Sequence, residues 1–233
     1  MNNFTIIIPI YNESDSIFAL VREIKKEFRG NLPEIIIVND GSTDNFILEK
    51  KKLANNVKIV SHEKNLGKCM AMLTGVKEAK NKIICVIDGD GQNPPYEIKK
   101  MIAYWHQVSQ SWKDFVLICG NRKKRQDTVL KRFSSKVANA VRKFILKDDC
   151  NDTACALKVF NKKDYLKIDY FKNMHRFLPA LFKMNKGRIF NVLVDDRRRF
   201  AGVSKFNFNN RFWVGILDLF KVWLIINKRR KNE

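Results

Sequence analysis

Short apolar runs alternate with longer amphipathic stretches through the first half of the chain. The run Phe4–Ile8 is rich in β-branched residues and predicts a buried strand, and Ser14–Phe28 follows it with apolar residues at helical spacing. Three further strands and one further helix are predicted after them: strands Glu34–Val38, Val57–Ser61 and Ile83–Ile87, and helix Leu66–Ala79. This order is typical of an α/β protein with a mostly parallel central sheet and helices on both faces.

The second half of the chain carries a less regular pattern. Strands are predicted at Phe115–Cys119, Ala154–Phe160 and Arg188–Val194, and helices at Leu130–Leu146, Arg176–Met184 and Arg211–Asn227. A polar, basic loop over Asp195–Asn210 precedes the last helix. Because no repeat or low-complexity linker divides the chain, we predict one catalytic domain over residues 1–208. An amphipathic C-terminal helix and a basic tail then occupy residues 209–233.

Polar side chains follow three of the predicted strands, at the point where each strand ends. They lie in the segments Tyr11–Glu13, Asn39–Gly41 and Asp88–Asp90. Parallel strands bring their carboxyl ends to one edge of a sheet, which is where open α/β sheets bind ligands. The recurrence of these segments therefore predicts a ligand site at that edge.

The segment Asp88–Gln92 carries the clearest chemical signal. Two carboxylates separated by one glycine can face one cation, and Mg²⁺ is usually held by one or two carboxylates together with substrate phosphates. Gln92 can add a carbonyl oxygen, and Gly89 lets the backbone come close to a ligand. The same segment also suits an ordinary acidic turn, but it directly follows a buried strand. We therefore predict Mg²⁺ or Mn²⁺ at Asp88, Asp90 and Gln92.

The other two segments suit a nucleotide. Tyr11 can pack on a nucleobase and Glu13 can accept hydrogen bonds from its edge, although these residues also fit a capped helix start. Asp40 is placed to receive hydroxyl groups or base nitrogens of a nucleotide. Asp44 is expected to support the turn that follows.

The net charge of +21 implies an anionic partner such as nucleic acid, an anionic membrane or a phosphorylated substrate. A lysine-rich bias that only aids solubility is the alternative. The cations form no recognised nucleic-acid module, and clustered carboxylates repel phosphate unless a cation intervenes, so nucleic-acid binding is the least favoured alternative. No apolar stretch reaches the roughly 20 residues that span a bilayer, and no signal peptide is evident. We expect a cytoplasmic protein with at most peripheral membrane contact.

Together these motifs resemble the large family of inverting glycosyltransferases typified by dolichyl-phosphate mannosyltransferase, also called family 2. The resemblance rests on an ordered set of segments: Pro9–Glu13, Val38–Asp44, Asn65–Lys68, Asp88–Pro95, Gly120–Arg122, Lys131–Asn139, Asp152–Lys158, Met174–Leu181 and Arg199–Lys205. It covers nearly the whole chain and implies a glycosyltransferase-A fold. Departures from the family pattern include Asp196 and Arg198, where bacterial relatives often carry histidine and proline, and these departures bear on the acceptor preference.

The resemblance implies metal-dependent transfer, with inversion, of a sugar from a GDP- or UDP-sugar to a polyprenyl (dolichyl or undecaprenyl) phosphate. The residues implied for the nucleotide sugar are Pro9, Tyr11, Glu13, Asp40, Lys68, Asp88 and Gly89. The catalytic set is Asp90, Arg122, Arg199 and Lys205, of which the last two are expected to close over the diphosphate. The acceptor phosphate is expected at Arg122, Lys131, Arg132 and Ser135.

Two features bear on the acceptor. A lipid phosphate is already an anion, so it needs no general base, whereas a hydroxyl acceptor does. His62 and His106 lie outside every motif, which favours the phosphate. The alternative is transfer to a saccharide or lipid hydroxyl in cell-envelope polysaccharide or glycolipid synthesis.

The apolar stripe and terminal cations of Arg211–Asn227 predict peripheral binding to the anionic cytoplasmic face of a membrane. The alternatives are that this helix packs on the domain's own core or on a second subunit.

Overall fold

A single seven-stranded sheet organises the computed structural model, which describes residues 3–46, 53, 57–112, 114–123, 140–200 and 218–228. The strands are β1 Phe4–Ile10, β2 Glu34–Asn39, β3 Val57–Ser61, β4 Ile83–Val86, β5 Val116–Arg122, β6 Lys158–Asn161 and β7 Arg188–Val194. Their spatial order is β3-β2-β1-β4-β6-β5-β7, and β6 alone runs antiparallel to its neighbours. The predicted mostly parallel α/β architecture is confirmed.

Helices cover both faces of this sheet. They are α1 Ser14–Glu27, α2 Lys68–Glu78, α3 Tyr96–Ser109, α4 (residues 140–146), α5 Lys162–Leu166, α6 Leu178–Met184 and α7 (residues 218–228). Alternate residues of β1 divide between the two cores, with Ile6 and Ile8 packed beside α1 and α3, and Ile7 beside α2 and α6. Burial on both faces explains why all seven residues of β1 are buried and why the strand appears in the sequence as a continuous apolar run.

The pairing register sets where each strand ends relative to its neighbours in the sheet. Ile10 pairs with Asn39, and Ile7 pairs with Val86. Asp40 therefore follows β2 directly at the carboxyl edge, and Asp88 leaves β4 level with the last residues of β1. At the other end of the sheet, Arg122 pairs with Val194, so β5 and β7 end at the same edge.

Several elements differ from the sequence-based expectations. Helix α3 and the short helix α5 were not predicted, although Ile98, Met101 and Trp105 of α3 are buried at helical spacing on the sheet. The strand expected over Ala154–Phe160 is confined to β6, because the preceding residues form a turn whose Cys155 N–H bonds the Asp152 carbonyl. The helix expected over Arg176–Met184 begins at Leu178, after a short 3₁₀ turn at Met174–Arg176.

Helix α7 packs on the domain. Val222 and Ile226 are buried in the same core as α2 and α6, and the Asp218 carboxylate accepts a hydrogen bond from the side chain of Asn173 at 2.9 Å. Its opposite side leaves Phe220 and Trp223 exposed. Within the described ranges, no helix combines the length and hydropathy needed to cross a membrane.

Candidate active site

The carboxyl ends of β1 and β2 are joined by hydrogen bonds between their loops. Asn12 adopts a left-handed conformation (φ 53°), and its side-chain oxygen accepts a hydrogen bond from Thr43 N–H at 2.7 Å. Asp44 accepts from the first amide of α1, Ser14 N–H, at 2.8 Å, as expected of a turn-supporting residue. These bonds hold the β1 loop in place while leaving the Tyr11 side chain 38% exposed at the edge, where a planar ligand can reach it.

Asp40 is buried and holds the loop that leads into α2. Its carboxylate accepts hydrogen bonds from His62 Nδ1 at 2.7 Å, Leu66 N–H at 2.9 Å and Gly67 N–H at 2.8 Å. The other ring nitrogen of His62 lies 2.9 Å from the Thr74 hydroxyl. His62 therefore belongs to the architecture of the site, which its position outside the motifs had not indicated. Direct contact of Asp40 with a nucleotide stays a prediction.

Asp88 lies on the solvent side of the carboxyl edge of the sheet, and Lys68 at the start of α2 forms an ion pair with it. Both side chains are about one third exposed, at 34% and 32%. Gly89, between the two carboxylates, packs so closely on Ile10 that an added Cβ would lie 2.6 Å from a side-chain carbon of that residue. A glycine is thus required here for close packing of the loop on β1, in addition to any ligand contact.

Asp90 lies deeper, with a side chain only 8% exposed. Its carboxylate pairs with Arg199 at 2.9 Å and accepts the Gln92 N–H at 3.0 Å. Burial, followed by the charge of Asp88, raises the pKa of Asp90 to about 6. A buried carboxylate next to a second carboxylate is a site at which a cation lowers the electrostatic energy.

These donors fit a divalent cation. Asp88 and Asp90 offer hard oxygen ligands, and in this structure each carboxylate is neutralised by a side-chain cation, Lys68 or Arg199. Among the described residues no group of three or more His, Cys, Asp or Glu side chains is arranged to hold a metal. Two carboxylates completed by phosphate oxygens and water is the way in which proteins usually hold Mg²⁺.

Arg122 lies at the end of β5 and is locked by a carboxylate. Its Nε and one terminal nitrogen donate to Asp152 at 2.7 and 3.0 Å, and its side chain is 12% exposed. Burial opposes the charge, but the hydrogen-bonded carboxylate of Asp152 outweighs it and holds the pKa of Arg122 above its ordinary value. The role predicted for Arg122 toward the acceptor phosphate stays a prediction, and its fixed geometry suits a positioning function.

The predicted residues Lys131, Arg132, Ser135 and Lys205 lie outside the described residues. The structure also shows contacts that sequence reasoning missed. Arg197 bonds the loop of the Asp88–Gln92 segment, Glu23 of α1 pairs with Arg197, and Asp152 fixes Arg122. The partners are far apart in the chain, so no local spacing signals them.

Comparison with known proteins assigns the chain to a protein family. The model of glycosyl transferase family 2 matches residues 5–168, and the chain belongs to that family. The family expected from the motifs is thereby confirmed, and the protein is a glycosyltransferase.

Two proteins of known identity are similar to the chain. Dodecaprenyl-phosphate galacturonate synthase of Rhizobium johnstonii is 29% identical over 236 residues, covering 97% of this chain and 68% of that protein. Glucosyl-3-phosphoglycerate synthase from Mycobacterium tuberculosis, solved with Mn²⁺, uridine diphosphate and glucosyl-3-phosphoglycerate, matches with a TM-score of 0.69. It is 13% identical, and the match covers 96% of this chain and 79% of that one. Its complex with Mg²⁺ and uridine diphosphate gives a TM-score of 0.70 at 14% identity, over 96% and 78% of the two chains. These structures confirm the glycosyltransferase-A fold.

Proposed function

We propose that this chain transfers a sugar, with inversion, from a GDP- or UDP-sugar to a polyprenyl phosphate, using Mg²⁺ or Mn²⁺. The observation that carries the proposal is the pair of carboxylates at the carboxyl edge, Asp88 and Asp90, each held by a partly exposed cation. The similarity to a dodecaprenyl-phosphate galacturonate synthase over almost the whole chain supports a lipid-phosphate acceptor.

The donor diphosphate binds at this edge. Asp88, Asp90 and Gln92 would hold the divalent ion, which supplies Lewis-acid stabilisation of the leaving diphosphate. Lys68 and Arg199 pair with the two carboxylates in this structure. Because both cations are about 30% exposed, at 32% and 29%, they can turn to phosphate oxygens once the carboxylates bind the ion. Arg offers a bidentate fork for phosphate and Lys a point charge.

The transfer step needs no general base on the protein. An oxygen of the acceptor phosphate, already ionised at neutral pH, attacks C1 of the sugar from the face opposite the diphosphate. The new C1–O bond forms as the bond to the diphosphate breaks, and the nucleoside diphosphate leaves with the electron pair. The task of the protein is to align the two anions and to neutralise charge in a shielded site.

The acceptor approaches from a membrane surface. On α7 the side chains of Phe220 and Leu224 are 57% and 48% exposed, and Phe220 stacks on Trp223 at 5.6 Å. Phe144 on α4 is 85% exposed. Aromatic residues on an amphipathic helix in a strongly basic protein suit the interface of an anionic leaflet. We therefore place the enzyme peripherally on the cytoplasmic membrane face.

Product analysis tests the acceptor. The purified chain is incubated with Mn²⁺ and radiolabelled GDP- and UDP-sugars, with undecaprenyl phosphate and a membrane lipid extract that supplies hydroxyl acceptors. The lipid products are then treated with mild acid. We expect a labelled lipid whose sugar is released by mild acid, and no such product from Asp90→Asn. A labelled glycolipid that resists mild acid would instead identify a hydroxyl acceptor and refute the phosphate assignment.

Liposome flotation tests the membrane contact separately. We expect Phe220→Ala/Trp223→Ala to reduce binding to anionic vesicles by about tenfold, because two aromatic side chains no longer enter the interface. Tyr96→Ala, which removes an exposed aromatic of α3, is the matched control and should float like the parent protein. Equal flotation of all three proteins would locate the contact elsewhere.

A further inference from the structure

The segment after β7 (residues 195–200) lies against the Asp88–Gln92 loop, and Arg197 donates two hydrogen bonds to that loop. Its backbone N–H donates to the Gln92 carbonyl at 3.0 Å, and its side-chain Nε donates to the Gly91 carbonyl at 2.6 Å. One residue thus satisfies two successive carbonyls of the loop that carries Asp90. Backbone carbonyls bonded in this way cannot rotate freely, so the loop is held in one conformation.

The remainder of the Arg197 guanidinium is also engaged. Its two terminal nitrogens pair with the two carboxylate oxygens of Glu23 on α1, at 2.5 and 3.2 Å. The guanidinium also lies over the ring of Phe200, 4.3 Å from the ring centroid. A planar fork with several donors can make these contacts together, whereas an ammonium group cannot.

Phe200 completes the junction. Its N–H donates to the Asp90 carbonyl at 3.2 Å, and its ring packs on Gly91, where an added Cβ would overlap the ring. Gly91 has a φ of +75°, a conformation that favours glycine. The segment after β7 therefore packs on the Asp88–Gln92 loop at Gly91, where the loop has no side chain that would overlap the Phe200 ring.

Arg199 lies between Arg197 and Phe200 and pairs with Asp90 Oδ2 at 2.9 Å. The two flanking residues fix the backbone on each side of it, so the reach of its side chain toward Asp90 is set by the contacts of Arg197. We propose that Arg197 is a positioning residue for sugar transfer: it anchors the segment after β7 to α1 and to the Asp88–Gln92 loop, and thereby aligns Arg199 and Asp90 for the diphosphate and its metal ion.

This inference rests on the proposed donor site. It goes beyond that proposal by assigning a role to a residue that touches neither reacting atoms nor the metal ligands' side chains. Arg198 provides a matched control, since it lies next to Arg197, is exposed, and forms no ion pair with any described carboxylate. Arg198→Ala removes the same charge one position away without removing the anchor.

The first test is a calorimetric titration of Mn²⁺ into each protein in the presence of UDP and, separately, of GDP. The second test measures KM and kcat of sugar transfer for each protein. We expect Arg197→Ala to weaken Mn²⁺·nucleotide binding and to raise the donor KM about tenfold, with a smaller drop in kcat, because the loop that binds the donor is no longer held in one conformation before binding. Arg197→Lys should recover part of the loss, and Arg198→Ala should bind like the parent chain.

Glu23→Gln keeps the size of the side chain and weakens only the ion pair between Glu23 and Arg197. This variant therefore tests the positioning role if Arg197→Ala fails to fold. Its binding should fall between those of Arg197→Ala and the parent. If Glu23→Gln and Arg197→Lys both bind and turn over like Arg198→Ala, the positioning role is wrong while the proposed function stands. If the parent chain binds Mn²⁺ with neither nucleotide, the proposed donor site itself is wrong, and the inference falls with it.

Discussion

Ion pairs at the two ends of the carboxyl edge differ in exposure. In the half formed by β1 to β4, Asp88 and Asp90 are paired with cations that remain 32% and 29% exposed, Lys68 and Arg199. In the half formed by β5 to β7, Arg122 is locked by Asp152, with side chains 12% and 5% exposed. Pairs with an accessible partner can exchange it for a ligand, whereas a buried pair is retained because separating it leaves an unpaired charge.

This difference assigns different tasks to charges that look alike in the sequence. In the first half we expect Asp88 and Asp90 to bind a ligand, with Lys68 and Arg199 displaced from them. In the second half a second buried pair, Arg142 with Asp148 at 2.7 Å, repeats the pattern of Arg122. Arg122 and Arg142 therefore hold the loop before β6 in place.

The largest effect is expected at Asp90. Asp90→Ala removes the deeper of the two carboxylates and with it the charge that a divalent cation needs, so transfer should fall roughly 100- to 1000-fold. Initial rates with labelled donor measure the loss, and far-ultraviolet circular dichroism should match that of the parent chain. Unchanged transfer would show that the diphosphate binds elsewhere.

The buried pair should instead govern stability. Asp152→Asn leaves the Arg122 charge buried without its carboxylate, and we expect the free energy of unfolding in urea to fall by about 3 kcal/mol. Lys68→Met breaks the accessible pair and should change the free energy of unfolding by less than about 1 kcal/mol. If the two variants were equally stable, the distinction between fixed and replaceable pairs would not hold.

A smaller effect is expected in the pH dependence of metal binding at Asp90, which belongs to the accessible pairs. Only ionised Asp90 binds a cation, and its pKa is raised to about 6. The apparent Mn²⁺ affinity should therefore be constant above that pH and fall by about tenfold per pH unit below it, as the proton competes for the carboxylate. A titration series between about pH 5 and pH 7.5 checks this, and an affinity independent of pH would contradict the raised pKa.

Much of the first half could be predicted because its signals are local. The β-branched run of β1 indicated a buried strand, and β3 has the predicted bounds, as β7 does in the second half. The family motifs then marked the strand ends that carry Asp88 and Asp90. Helix α3 was not predicted, although the spacing of Ile98, Met101 and Trp105 in the sequence is helical.

The contacts that could not be predicted join distant parts of the chain. Glu23 and Arg197 are 174 positions apart, and their pairing depends on how α1 and the segment after β7 meet over the Gly91 turn. Nothing in the sequence of β6 indicates that it runs antiparallel, yet that reversal brings Asp152 to the end of β5. Such features follow from packing of the whole sheet, so local patterns do not contain them.

A crystal structure of the chain with Mn²⁺ and a nucleoside diphosphate tests the central claim most directly. We predict the metal ion on Asp90 and Asp88, with Arg199 and Lys68 turned from these carboxylates to phosphate oxygens and with Arg122 still paired to Asp152. A nucleotide bound away from the carboxyl edge, or one bound there with both the Lys68–Asp88 and Arg199–Asp90 pairs intact, would contradict the account.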